Sequence, residues 1–172
     1  FCVGNEETFT FLENVLTEVM ALFPSEYIHI GGDEAGKQAW KSCPKCRRRM
    51  ADEELKNEDE LQSYLICRVE KFLNGHGRKL LGWEGGLAPN ATVMVWRGEE
   101  GGVRAVKAGH RVVMTPGKFC YLDSYQDAPQ FQPEASGGYL PLANVYSYDP
   151  ASPAFTEEEA KLIYGVQGNL WA

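Results

Sequence analysis

Tyr27-Ile28-His29-Ile30-Gly31-Gly32-Asp33-Glu34 decides how the rest of the 172-residue chain is read. Tyr27–Ile30 is a short apolar run rich in strand-forming residues, so it reads as a β-strand. Gly31 and Gly32 end it. They let the backbone turn sharply and let a ligand approach closely. Asp33 and Glu34 then stand at the C-terminal end of the strand. On the N-terminal side, Phe9, Leu12, Leu16, Val19 and Phe23 recur at intervals of three and four, one face of a helix. Asn5 reads as its N-cap, Glu6 and Glu7 suit its positive end, and Pro24 follows its last turn. On the C-terminal side a polar segment runs from Ala35 to about Asn57. It holds Cys43-Pro44-Lys45-Cys46 and short helical turns, with Arg47-Arg48-Arg49 expected as a solvated helix face. Asp59 to Asn74 reads as a second long helix, with Leu61, Leu65, Val69 and Phe72 on one face and Gly75 and Gly77 at its end.

The alternation then repeats. Strands are expected at Lys79–Trp83, Thr92–Trp96, Arg111–Met114 and Gly165–Leu170, with helices at Glu99–Ala108 and near Thr156–Ile163. A long irregular stretch from Pro116 to Pro153 reads as a functional loop, its tyrosines arguing against disorder. Strands with apolar interiors alternating with helices mean a parallel sheet covered by helices, an α/β fold. No G-x-G-x-x-G or P-loop motif follows any strand, so a nucleotide-binding sheet has little support. The other parallel architecture is a (β/α)8 barrel, whose catalytic residues sit at the C-terminal ends of the strands.

Composition bounds the function. Lys plus Arg number 17 against 24 Asp plus Glu, a net charge of −7. An acidic chain without a basic stripe argues against nucleic acid and against an anionic membrane surface. No apolar run approaches the ~18 residues of a spanning helix, so no membrane insertion is expected. Five cysteines, Cys2, Cys43, Cys46, Cys67 and Cys120, cannot all pair. The Cys43/Cys46 pair lacks a second pair at zinc-ribbon spacing. A zinc site would need Cys67, Cys120 or a histidine; the other readings are a Pro-containing loop or a local disulfide. Neither a metal nor a cofactor enters the expected site.

The strand ends carry the chemistry. They are Asp33-Glu34, Trp83-Glu84, Trp96-Arg97-Gly98, the segment Cys120-Tyr121-Leu122-Asp123, and Trp171. A single tryptophan there reads as core packing. Three on the same rim, with carboxylates at the floor, suit a sugar, whose C–H faces stack on rings. Two-carboxylate glycosidases hold their acids on opposite sides of the scissile bond, at least ~5 Å apart. Neighbours in sequence cannot easily straddle a sugar that way. They can work if one carboxyl moves the proton and the substrate supplies its own nucleophile. His29, within the strand, reads as a core histidine; His76 and His110 read as solvated.

The octet resembles the signature of glycoside hydrolase family 20, the β-N-acetylhexosaminidases. The resemblance continues through Gly82-Trp83-Glu84, Val95-Trp96-Arg97-Gly98, Tyr121-Leu122-Asp123 and Gly168-Asn169-Leu170-Trp171, in the family's order and spacing. Trp40 with Cys43-Pro44-Lys45-Cys46 is similar to a loop in many members. The resemblance implies a retaining mechanism in which the substrate's 2-acetamido group attacks C1 and forms an oxazolinium. By position Glu34 would be the general acid and then the base. Asp33 would orient the acetamido N–H, and Tyr121 would hydrogen-bond its carbonyl. Trp83, Trp96 and Trp171 would wall the sugar pocket, and Asp123 would take a hydroxyl.

The same resemblance implies that residues 1–172 are a single partial (β/α)8 domain, truncated at both ends and holding strands four to eight. A family arginine and the acid and histidine that support the glutamate would lie before it, and a sugar-binding glutamate just after Ala172. Such a piece, with open edges, is expected to self-associate and to have little activity alone. Its implied partner is a glycan ending in N-acetylhexosamine, GlcNAc or GalNAc, and its parent is expected outside the cytoplasm (secreted, periplasmic or lysosomal). Two other functions fit less of the sequence: a non-hydrolytic amino-sugar-binding protein on the same scaffold, and a zinc-dependent interaction module on Cys43 and Cys46.

Overall fold

The computed structural model describes residues 1–86, 88–151, 153 and 155–171. Ala172, where the sequence reading places a truncation, lies outside them. The chain forms two compact units, Phe1–Thr92 and Val93–Ala172.

In the first unit, α1 (Glu6–Leu22) leads into β1 (Tyr27–His29), α2 (Gln38–Ser42), α3 (Pro44–Asp52), α4 (Glu58–Gly75) and β2 (Lys79–Trp83). β1 and β2 pair in parallel, with Ile28 opposite Leu80. Both residues face the helices and are buried with Met20 of α1 and Ile66, Val69 and Leu73 of α4. Removing these apolar side chains from water is what packs both long helices on one face of the strand pair. The Asn57 side chain caps α4, accepting from the amides of Asp59 and Glu60 at 3.0 Å each. The buried Glu70 carboxylate of the same helix accepts the Asn90 amide at 3.0 Å and so anchors the segment after β2.

Three expectations are corrected here. Asn5 stands at the N-cap of α1 in extended conformation, but its side chain makes no cap bond. Its amide nitrogen donates to Glu7 at 3.4 Å instead. The arginine run is not uniformly solvated. Arg47 and Arg48 are exposed, while Arg49 turns inward to pair with Glu6 and with Glu53. Arg68 donates to Glu6 at 3.1 Å, and this bond does most to hold the Glu6 carboxyl below the usual range. His29 lies outside the helix-covered core, because strand alternation puts it on the face opposite Ile28.

In the second unit, β3 (Thr92–Val95, its first residue in the first unit), β4 (Val112–Met114) and β5 (Ile163–Val166) pair in parallel, β3 with β4 and β4 with β5. α5 (Glu99–Lys107) covers them. Its Ala105 and Val106 bury Val93, Val95, Val112 and Met114. Gly102 allows that approach, since a Cβ there would lie 2.6 Å from the Met114 sulfur. Among the described residues the long segment after β4 carries α6 (Gly117–Cys120), a 3-10 turn at Pro129–Phe131 and α7 (Leu142–Tyr146); a short α8 (Glu157–Ala160) then precedes β5. A bridge between Tyr125 and Tyr139 ties it together. The last strand ends at Val166, earlier than the expected Gly165–Leu170. Trp171 therefore follows a separate bridge, Tyr121 with Asn169, and is exposed.

Candidate active site

Parallel pairing brings the C-terminal ends of the strands within each unit to one edge. In the first unit that edge carries Asp33, Glu34, Trp83 and Glu84. The turn after β1 needs its glycines: Gly31 has φ 71° and Gly32 φ 94°, where only a residue without Cβ sits easily. The turn is held from two sides. The Trp83 amide donates to the Gly31 carbonyl at 2.8 Å, and the Gln62 side chain of α4 donates to the Gly32 carbonyl at 2.6 Å. Glu34 itself has φ 37°, a left-handed conformation that costs a non-glycine residue ~1–3 kcal/mol and persists where its surroundings impose it. Asp33 is half-buried and Glu34 exposed.

The turn after β2 fits against this one. Gly85 has φ 150°, and a Cβ on it would lie 3.5 Å from the Asp33 Cβ. A Cβ on Gly86 would lie 2.5 Å from Ile66. The Trp83 ring meets His29 edge-on, centroids 5.0 Å apart. His29 Nδ1 accepts the Gly31 amide at 3.1 Å, which fixes the ring beside the turn. Loss of solvent around the ring lowers the His29 pKa, against a smaller opposing pull from the Asp33 carboxylate. On the helix side of the turn lies a mainly apolar cavity of about 490 Å³. Its lining includes Asp33, Gln62, Trp40 and Ile66.

In the second unit Trp96 follows β3 and Tyr121 follows α6, with ring centroids 6.5 Å apart. Arg97 lies over the Trp96 ring at 4.5 Å. Tyr121 is placed by Asn169: the Leu122 amide donates to the Asn169 carbonyl at 2.8 Å, and the Asn169 amide to the Cys120 carbonyl at 2.7 Å. The buried Asn169 side chain donates to Thr115 and accepts from Gln167. Asp123 is half-buried. One of its oxygens accepts from the Ser136 hydroxyl; the other, Oδ1, is buried with no hydrogen-bond partner. A desolvated acceptor in this state is costly unless a ligand hydroxyl or water reaches it.

The structure thus brings Asp33 and Glu34 together with the Trp83-Glu84 turn in one unit, and Trp96 with Tyr121 in the other. The sequence reading missed the groups that set these geometries. Gln62 and Asn169 look like ordinary polar residues until the fold puts them against backbone. Gly85 and Gly86 give a readable signal, a glycine pair directly after a strand end.

Parallel βα units with carboxylates and aromatic rings at the C-terminal strand ends are the arrangement that (β/α) barrel enzymes use. The chain belongs to glycosyl hydrolase family 20: the family's catalytic domain matches residues 1–172. It is 50% identical to a β-hexosaminidase of Porphyromonas gingivalis over 100% of this chain and 23% of that protein. It is 36% identical to a β-hexosaminidase of Vibrio furnissii, over 95% of this chain and 28% of the relative. The chain therefore spans about a quarter of the length of these curated relatives. Among solved structures it resembles the family 20 exo-β-N-acetylglucosaminidase of Vibrio harveyi in complex with N-acetylglucosamine. The TM-score is 0.86 and the identity 31%, over 98% of this chain and 28% of that one. A β-N-acetylhexosaminidase of Bacteroides fragilis matches at TM-score 0.83 and 32% identity, over 99% of this chain and 36% of that one. With these neighbours the fold is a partial (β/α)8 barrel, as the strand–helix alternation predicts.

Proposed function

We propose that this chain is part of a β-N-acetylhexosaminidase that removes terminal non-reducing β-linked GlcNAc or GalNAc from glycans with retention of configuration, through an oxazolinium formed by the substrate's own acetamido group. The observation that carries the reading is the Gly31-Gly32-Asp33-Glu34 turn. It presents two adjacent carboxylates at a strand end, the second held in a strained backbone conformation. Adjacent carboxylates suit a reaction in which only one of them transfers a proton.

The roles are those that the family resemblance implies for the residues at these motif positions. Glu34 protonates the glycosidic oxygen as the leaving group departs, then takes a proton from the water that opens the oxazolinium. Asp33 accepts the acetamido N–H and balances the positive charge that develops on the ring nitrogen. Tyr121 donates to the acetamido oxygen and aims it at C1, so attack is intramolecular and its entropy is already spent on binding. Trp83, Trp96 and Trp171 supply apolar walls for the sugar and acetyl methyl. The half-buried Asp123 takes a sugar hydroxyl. The adjacent Asp33-Glu34 pair favours catalysis over plain sugar binding, which needs no positioned acid.

The test is release of the aryl alcohol from an aryl β-N-acetylglucosaminide, with inhibition by a thiazoline analogue of the oxazolinium. The parent protein is expected to turn over this substrate and to bind the thiazoline far more tightly than the product sugar. The chain alone, a quarter of its relatives' length, is expected to be much slower and to self-associate through its open sheet edges. A parent that binds the sugar without hydrolysing it would leave the sugar-binding alternative standing. The parent is placed, on the same proposal, where such glycans occur, outside the cytoplasm.

A further inference from the structure

The fold gathers three cysteines that the sequence keeps apart. Cys2 sits in the turn before α1, Cys43 at the junction of α2 and α3, and Cys46 in the first turn of α3. Their sulfurs form a cluster: Cys2 to Cys43 is 3.6 Å, Cys2 to Cys46 is 3.7 Å, and all three lie within 4.8 Å of one another. A disulfide would bring two sulfurs to ~2.05 Å. Four sulfurs bound tetrahedrally to zinc at ~2.3 Å stand about 3.8 Å apart. The two spacings from Cys2 fit the second arrangement and not the first.

The surroundings are shaped for this cluster. Gly4 is in direct contact with the Cys43–Cys46 loop, since a Cβ on it would lie 2.1 Å from both the carbonyl carbon and oxygen of Lys45. The Trp40 ring nitrogen donates to the Phe1 carbonyl at 2.9 Å, and the Thr8 hydroxyl to the Cys2 carbonyl at 2.9 Å. These bonds clamp the N-terminal segment over α2 and α3. Val3 and Cys46 are both fully buried there. Backbone amides address the sulfurs: Cys46 and Lys45 toward Cys43, and Gly4 toward Cys46. A cation bound there would displace the thiol protons and balance the charge of a thiolate at the fully buried Cys46.

We propose that Cys2, Cys43 and Cys46 bind one zinc ion as three thiolates, with water at the fourth corner on the half-exposed side of Cys2 and Cys43. Among the described residues no further His, Cys, Asp or Glu joins the group. The ion would fasten the N-terminal segment to α3 within the connection that follows the Asp33-Glu34 turn. The cluster includes none of the residues of the proposed reaction and is independent of their roles.

Metal analysis of the purified protein tests it. One zinc per chain is expected. It should be lost in Cys43→Ser and Cys46→Ser and kept in Cys67→Ser, whose thiol stands outside the group. Should the serine variants fail to fold, the wild-type protein decides. Cobalt substitution is expected to give thiolate-to-metal charge-transfer bands and the intense visible bands of a tetrahedral site. Alkylation of Cys2 and Cys43 by iodoacetamide is expected to slow at least tenfold with zinc bound and to recover with a chelator. A Cys2–Cys43 or Cys2–Cys46 disulfide in a non-reduced peptide map would overturn the proposal. So would metal-free protein whose three thiols alkylate equally with and without added zinc.

Discussion

Glu34→Gln in the parent enzyme is expected to lower kcat on an unactivated β-N-acetylhexosaminide by ~10²–10⁴-fold, the usual worth of a positioned general acid–base. The amide keeps the shape and the hydrogen-bonding reach of the side chain but carries no transferable proton. Substrate affinity should change little, because Glu34 contacts the scissile oxygen rather than the ring hydroxyls. An aryl substrate with a good leaving group needs less protonation, so its kcat should fall less. That contrast separates lost acid catalysis from a misfolded turn, which would affect both substrates alike. Glutamine keeps the side-chain length and leaves the φ of 37° as it is, so the backbone has no added reason to move. Unchanged turnover on both substrates would remove Glu34 from the acid's role.

The second large effect is on stability. Gly4→Ala places a methyl group where the backbone of Lys45 and Cys46 already lies, with contacts of 2.1 Å to the Lys45 carbonyl group and 2.5 Å to the Cys46 nitrogen. The opposing atoms are backbone at the start of α3, so no side chain can swing aside. The N-terminal segment must lift from α3, exposing Val3 and Cys46 and breaking the bond from Trp40 to Phe1. A cost of about 3 kcal/mol or more is expected. It should appear as a lower denaturant midpoint, measured beside Gly36→Ala, where a Cβ meets nothing within 4 Å. The same variant should lose zinc, since the lifted segment carries Cys2.

Strand positions were legible where an apolar run met a glycine or a charged break. The strand reading at Lys79–Trp83 holds to the residue, and those at Tyr27, Thr92 and Arg111 hold within one residue at an end. The last strand slipped because Ile163-Tyr164-Gly165-Val166 and Gly168-Asn169-Leu170-Trp171 carry similar signals. Only the pairing partners on β4 distinguish them. The Asn5 and Asn57 caps look alike in sequence, yet only Asn57 bonds the helix amides. Cap identity is local; side-chain rotamer is set by what packs nearby. The same holds for Arg49, which an ion pair with Glu6 of α1 draws away from solvent.

For the site, the residue types at the strand ends announced themselves, and what holds them in place did not. The short helices after β4 are each shorter than two turns, too brief for a 3.6-residue period to register. Gln62 is reached only through α4, and the partner of Cys43 and Cys46 lies 41 and 44 residues away in the chain. A spacing rule confined to neighbouring motifs looks past Cys2. His29 was misread for a simpler reason: in a strand, burial alternates, and Ile28 and Ile30 take the helix-facing positions.

The central claim, that the substrate's acetamido group is the nucleophile, is tested most directly by weakening that group. The parent enzyme would be assayed on aryl β-glucosaminides whose N-acetyl methyl carries none, one, two or three fluorines. Each fluorine withdraws electrons from the carbonyl oxygen that would attack C1, while the leaving group and the acid stay the same. A steep, progressive fall in kcat/KM across the series is the predicted result. A rate indifferent to fluorination would mean that another nucleophile attacks C1 and would contradict the account.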